Sequence, residues 1–288
     1  MAKIIPVRKL NKGHQPVSEA ERFKIRRIED IIQGSDLYHD LHRHDFYFIL
    51  SVDSGTGNHE IDFVNYEVVD NSVFLLKPGQ VHQLELKAGS RGYLLEFNNE
   101  FYHPTNQLSI QRLRKASNKN YCKLEKILFN RLQQHLASMF HEFTARDDGY
   151  LDVIKANLEI FFIEVIRQSN NEKSEIPTAN NYTQERYEEF LELLDKNITQ
   201  HKQVSDYTEL MNLSAYQLNE ITKSSVGKTA SELINEHILL EAKRYLLATA
   251  NQVKEIADHL GYEDPSYFTR FFRKHTGLSP ESFRSSFK

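Results

Sequence analysis

Two sets of side chains in this chain have the types and spacing to do chemistry. The first is imidazole. His42 and His44 are two residues apart, so on an extended strand both leave the same face. Pro78-Gly79-Gln80-Val81-His82 brings a third imidazole, and Tyr47 a phenol close by in sequence. Groups of this kind orient a small polar ligand in a pocket, and three imidazoles are also a ligand set for Zn, Fe or Mn. The expectation is ligand contact by His42, His44, Tyr47 and His82, with no metal and no cofactor assigned, since a histidine is often simply a satisfied polar group. The second set is cationic and hydroxylic: Ser266, Tyr267, Thr269, Arg270, Arg273 and Lys274. A guanidinium pairs bidentately with a guanine edge or a phosphate, and hydroxyls reach either. No defensible pair of nucleophile and base accompanies either set, so no catalytic residue is expected and the chain reads as not an enzyme.

The elements that must hold the second set follow from periodicity. Val253, Ile256, Ala257 and Leu260 recur at helical spacing and make one apolar stripe. Gly261 then stands where a helix end takes a left-handed residue. Asp264-Pro265 is a start signal, a capping side chain followed by a ring pre-set for the first helical position. Beyond it Phe268, Phe271, Phe272 and His275 share one face, and Ser266, Thr269, Arg270 and Arg273 the other. Upstream the layout repeats. Tyr207, Leu210 and Met211 side a supporting helix, and Ser214-Ala215-Tyr216-Gln217 is a capping box opening a second one. Leu218 and Ile221 face inward there, Tyr216, Asn219, Glu220 and Lys223 outward, and Gly227 ends it. Thr229 and Glu232 cap a long helix to about Ala248, with Leu233, Leu240 and Leu247 seven apart. At 1.5 Å per residue that strut is roughly 28 Å long, near the ~34 Å between successive major grooves on one DNA face.

The downstream string I-A-x-x-L-G-Y-x-D-x-S-Y-F-x-R-x-F-R-K-x-x-G-x-S-P-x-x-F-R closely resembles the signature of the AraC/XylS family of bacterial transcription regulators. The resemblance implies two helix-turn-helix units joined by one long helix, here about 204–227 and 253–276, and sequence-specific binding to promoter DNA. The DNA-contacting residues it implies are Tyr216, Gln217, Asn219 and Lys223 upstream, and Ser266, Tyr267, Thr269, Arg270, Arg273 and Lys274 downstream. Glu220 and Thr222 depart from the Arg and aromatic that the family pattern leads one to expect. An acid facing DNA loses phosphate attraction, although it can accept from cytosine N4, so the downstream unit is the stronger reader. A homodimer is expected, made by a helix pair over 123–167 whose apolar stripes exceed what a small barrel needs to cover it, with tethered half-sites adding affinity. RNA polymerase and an unidentified small-molecule effector are further candidate partners.

Composition bounds the rest. The 288 residues suggest two domains, and 40% hydrophobic with 26% charged residues is ordinary for a soluble globular protein. No apolar run approaches 18 residues and Met1 to Lys12 lacks an apolar core, so a cytoplasmic location without membrane association is expected. A single Cys122 rules out an internal disulfide. It also excludes a DNA-repair alkyl acceptor, which would need a metal-bound cysteine cluster. From Thr183 to Lys288 there are 13 Lys/Arg against 16 Asp/Glu, yet Asp264 to Lys288 has five basic and two acidic residues. Positive potential is local, so non-specific DNA affinity should be modest.

From His44 to about Asn98 short alternating runs such as FYFILSV, SVFLLKPG and VHQLELKA dominate, which reads as a small antiparallel barrel or jelly roll. Two helical stretches follow, 123–145 and 150–167, whose apolar stripes could cover the barrel or meet a second subunit. The histidine motifs resemble those of the cupin-type sensory domain of the same family. The expected fold is therefore α+β multidomain: a cupin-like β-barrel with a helix pair over 1–168, a polar linker over 169–182, and an all-α DNA-binding domain over 183–288. The alternative is a metal-dependent cupin enzyme fused to a DNA-binding module. Such enzymes usually add a carboxylate soon after His-x-His, where this chain has Tyr47, Phe48 and Ile49, and Asp45 has opposite strand parity to His44.

Overall fold

The computed structural model describes residues 6–10, 18–103, 107–171 and 181–287. They fall into two compact units, each taken by itself. Most of the expected linker lies outside the described residues. Its first three, Ser169 to Asn171, continue a helix, and Asn181 opens the next.

The first unit is built on ten strands: β1 (Val7–Arg8), β2 (Phe23–Arg27), β3 (Leu37–His44), β4 (Tyr47–Ser54), β5 (Gly57–Ile61), β6 (Val64–Val68), β7 (Ser72–Leu76), β8 (Val81–Leu86), β9 (Arg91–Phe97) and β10 (Tyr121–Lys123). They form two five-stranded sheets, ordered β1-β3-β8-β5-β6 and β10-β7-β4-β9-β2. Every pairing is antiparallel except β1 with β3. Strict side-chain alternation on β4 sorts its residues between two cores. Phe48, Leu50 and Val52 join Ile61, Val68, Leu84 and Leu86 of the other sheet in a shared interior. Ile49 points the opposite way, with Leu75, Leu95 and Phe97, into a second apolar layer. The alternating run HEIDFVNYEVV (59–69) spans two strands, β5 and β6. Asp62 and Phe63 both take positive φ (48° and 69°) and turn the hairpin, a conformation for which the run has no Asn-Gly or Asp-Gly signal.

Four α-helices and one 3-10 turn (Glu19–Arg22) complete the described part of this unit: α1 (Ile28–Ile32), α2 (Gln107–Ser117), α3 (Lys126–Ala145) and α4 (Tyr150–Asn171). Lys123 ends a strand rather than opening a helix. Leu132, Leu136 and Met139 of α3 and Ile154, Leu158 and Phe161 of α4 are buried in the layer that covers the second sheet. Of the two fates open to these stripes, the chain adopts the covering one. Burial at about 25 cal/mol per Å² of apolar surface removed from water is the driving term.

The second unit is all helical: α5 (Asn181–Asn197), α6 (Val204–Met211), α7 (Ala215–Val226), α8 (Ala230–Ala248), α9 (Val253–His259), α10 (Pro265–Thr276) and α11 (Pro280–Ser286). The capping boxes form as the residue types demand. Ser214 Oγ accepts from Gln217 N at 3.2 Å, and Thr229 Oγ1 accepts from Glu232 N at 3.2 Å. Asp264 accepts from Ser266 N at 2.8 Å, and that bond holds its carboxyl below its ordinary pKa. The buried stripe of α8 is Ala230, Ile234, Ile238, Ala242 and Leu246, a step of four rather than the heptad of Leu233, Leu240 and Leu247. Leu233 and Leu240 are only partly buried. Small residues at two of those steps let neighbouring helices approach closely. Arg284 of α11 fastens the end of α8, donating to Leu246 O and Asn251 O at 2.7 Å each.

Candidate nucleic-acid interface and histidine cluster

Helix α10 has one face locked and one face free. Phe268 and Phe272 are fully buried; their rings lie 6.0 Å apart, and Phe272 meets Phe283 edge-on at 5.4 Å. His275 is exposed rather than part of that face, and Phe271 is half-buried. On the outer side Ser266, Tyr267, Arg270, Arg273 and Lys274 are all exposed. The Arg270 guanidinium stacks over the Tyr267 ring at 4.5 Å, a cation–π contact that restrains an otherwise loose side chain. Thr269 differs from its neighbours: half-buried, it donates its hydroxyl to Pro265 O at 2.9 Å.

The upstream helix α7 presents less. Tyr216, Glu220 and Lys223 are exposed, but two expected DNA-contacting side chains are engaged within the chain. Gln217 Oε1 accepts from Ser214 N at 2.9 Å to close the capping box. Asn219 donates to Ala215 O at 2.9 Å and accepts from Ala230 N at 3.0 Å, so its amide supplies the first turn of α8 with a partner. Thr222 is buried, its hydroxyl turned to Asn219 O, and lies on the inner face.

The turn between α9 and α10 carries contacts that periodicity does not reveal. Gly261 has φ +72°, and a Cβ there would stand 1.8 Å from Thr199 O. Lys202, from the loop between α5 and α6, donates to both Thr199 O (3.0 Å) and Gly261 O (2.8 Å) and covers the Tyr262 ring at 5.3 Å. Burial lowers its ammonium pKa from the ordinary value. One cation thus ties the loop ahead of the upstream unit to the downstream turn.

In the first unit, His42 and His44 of β3 meet His82 of β8, as their shared strand face requires. His42 Nε2 lies 3.1 Å from His44 Nε2, and His44 Nε2 lies 2.6 Å from His82 Nε2. His42 and His82 are register partners across the ladder. A fourth imidazole, His59 of β5, stands 2.8 Å from His82 Nδ1. His59 could have been found from parity, being two residues before the inward-facing Ile61. His42, His59 and His82 are fully buried and His44 nearly so. Phe46 and Phe48 pack on His44 at 4.3 and 5.3 Å, and Phe74 on His59 at 4.8 Å. That apolar packing disfavours the charged form, pushing His42 down to about 4 and His59 to about 3. His44 and His82 shift the same way, again chiefly by burial.

Tyr47 is not in this group. Its side chain has the parity of Ile49 rather than Phe48, and it stacks on Phe97 at 5.0 Å against the helix-covered core. Asp45 is exposed, as its parity requires. A cleft of about 660 Å³ opens beside the cluster, and His44 is the one histidine lining it. The rest of its wall is Pro6 to Leu10, Lys24, Arg26, Phe46 and Glu96, four cationic side chains to one carboxylate. Arg26 pairs with Glu96 at 3.1 Å. Burial nevertheless raises the Glu96 pKa.

Residues 207–286 match a helix-turn-helix domain, and residues 28–147 match an AraC-like ligand binding domain. Over 257 residues the chain is 25% identical to the uncharacterized HTH-type transcriptional regulator YfiF of Bacillus subtilis, spanning 86% of this chain and 79% of the relative. It is 23% identical over 252 residues to the HTH-type transcriptional activator RhaR of Mannheimia succiniciproducens, spanning 86% and 87%. A solved structure of fatty-acid-bound ToxT from Vibrio cholerae aligns with a TM-score of 0.42 and 19% identity, covering 91% of this chain and 94% of that one.

Proposed function

This chain belongs to the AraC family of transcription regulators, and from that premise we propose which of its surfaces read DNA and which takes a signal. It carries an N-terminal ligand-binding domain and a C-terminal helix-turn-helix DNA-binding domain. The observation that carries the assignment is α10, whose buried phenylalanines fix it to the core while hydroxyls and guanidinium groups stand free. Ser266, Tyr267, Arg270, Arg273 and Lys274 are the downstream contacts, with Tyr216 and Lys223 upstream. Gln217, Asn219 and Thr269 act on the fold instead, because their side chains are hydrogen-bonded within it.

The signal enters at the cleft beside β1 and β2. Its cationic excess favours a small anion, a carboxylate or phosphate ester, with Arg8, Lys9, Lys24 and Arg26 as the charged wall. We assign no catalytic residue. The proposed domains are a sensory domain that runs through α4 to Asn171 and a DNA-binding domain that opens with α5 at Asn181. No described helix is long and apolar enough to cross a membrane, and a cytoplasmic site of action is proposed for a regulator that must meet promoter DNA and RNA polymerase. A homodimer is proposed from the gain that two tethered half-sites give. The buried stripes of α3 and α4 do not support it, and Ile127, Val153 and Ile160 are the exposed apolar groups of that pair.

Genome-wide mapping of bound DNA, with and without candidate anionic metabolites, tests the reading. The expected result is a discrete set of sites sharing one motif, with occupancy that responds to the effector. Occupancy that is uniform along the genome would overturn it.

A further inference from the structure

We propose that His42, His44 and His82 form a binding site for a divalent first-row transition-metal ion, Zn²⁺ being the ion their chemistry suits. This goes beyond the reading of the chain as a DNA-binding regulator and does not depend on it.

Proton accounting carries the argument. His42 Nδ1 lies 2.6 Å from the Asp40 carbonyl, so that nitrogen is the N–H donor and Nε2 holds the lone pair. His44 Nε2 then faces two nitrogens at once, His42 Nε2 at 3.1 Å and His82 Nε2 at 2.6 Å. A neutral imidazole has one N–H, and one proton cannot lie along both lines. One contact is therefore left without a bridging proton unless a cation stands among them.

The spacing is near what an ion needs. Nitrogens about 2.0–2.1 Å from Zn²⁺ at octahedral to tetrahedral angles are separated by about 2.8–3.4 Å. His42 and His44 at 3.1 Å fall inside that range, and His44 and His82 at 2.6 Å would part slightly to admit an ion. All three ligand nitrogens lie within 4.8 Å of one another. The surroundings agree as well. A ligating histidine usually donates its other N–H to a carbonyl or similar acceptor. His42 has Asp40 O and His82 Nδ1 has His59 Nε2 at 2.8 Å. An all-imidazole set without a carboxylate suits Zn²⁺, Cu²⁺, Ni²⁺ or Co²⁺ and is a poor site for Mg²⁺ or Ca²⁺. Three protein nitrogens leave a coordination position for water or for a donor atom of a molecule in the cleft that His44 lines.

Titration of chelator-treated full-length protein with Co²⁺, followed by visible absorption, tests the site. We expect saturation at one ion per chain and displacement by Zn²⁺. X-ray absorption at the cobalt edge of the wild-type protein should count three imidazoles. His44→Ala, at the cleft margin, should weaken Co²⁺ binding by more than about a hundredfold, since even outer-shell partners are worth ten- to hundredfold. His141→Ala, an exposed histidine of α3, should not weaken it. Failure of the wild-type chain to bind either ion stoichiometrically overturns the proposal. So does a cobalt site with fewer than three imidazoles, or a folded His44→Ala protein that binds as well as wild type. The first two measurements decide the matter even where a variant does not fold, and operator binding that fails or succeeds leaves them untouched.

Discussion

Lys202 donates to the carbonyl of Gly261 at 2.8 Å and thereby joins the segment ahead of the upstream unit to the turn of the downstream one. The same ammonium holds Thr199 O, and that carbonyl occupies the space a Cβ on residue 261 would take. Gly261→Ala should therefore lose more than the about 1–3 kcal/mol of a left-handed non-glycine residue. Lys202→Met should lose about 1–3 kcal/mol by leaving two carbonyls without their donor. Urea denaturation of the two variants checks both values. A Gly261→Ala protein as stable as wild type would show that the turn does not depend on this approach.

Arg270→Ala should cost about 1–3 kcal/mol of specific binding if its guanidinium pairs with a guanine, and it should relax base preference at one position. Fluorescence anisotropy on a selected operator and on its single-base variants measures both. Unchanged affinity together with unchanged preference would remove Arg270 from the reading face.

Phe268→Ala acts on another link of the chain of causes. Its ring is fully buried, so truncation should destabilise the unit by about 3–5 kcal/mol. DNA binding would then fall in proportion to the unfolded fraction, with base preference intact in the molecules that remain folded.

Asn219→Ala separates the two roles a polar side chain of α7 can have. It should lower stability by about 0.5–2 kcal/mol, the cost of a lost cap, because Ala230 N loses its acceptor. At temperatures where the variant is folded, operator affinity should stay within about twofold. A stable variant with a changed base preference would return Asn219 to the DNA face.

Glu220→Gln tests the asymmetry between the two units. Glu220 is exposed on α7, so removing its charge should raise DNA affinity. It should steepen the salt dependence by less than the slope of about one that a new phosphate-pairing arginine adds. Weaker binding to every sequence tested would mark the acid as structural.

The helical unit was legible in the sequence because its signals are local. Ser214, Thr229, Asp264 and Gly227 are caps readable within four residues, and the phenylalanines of α10 repeat at helical spacing. The strands from His44 onward were legible by alternation, and so was the shared face of His42 and His44; His82 was added to them by its Pro-Gly-x-x-His motif and its likeness to the cupin-type domain. What escaped depends on separation in the chain. The joint between Lys202 and Gly261 spans 59 residues, and no pattern within either segment marks it. His59 joins the cluster only because β5 pairs with β8. Tyr47 was misplaced by nearness in sequence, where strand parity sends it to the other core. The stripe of α8 was misread because Ala230 and Ala242 pack as tightly as leucines when helices come close.

The side-chain oxygens of Gln217 and Asn219 are taken up by backbone N–H groups at helix starts, and that leaves an imprint on the genome that carries the protein. Aligned target sites would show one sharply defined block and one shallow block, unequal in information content. Promoters could be recruited by mutation in the shallow half at little cost, while the sharp half would have to be present already. The reach of the regulator across a genome would then be set by how often a single short word occurs by chance.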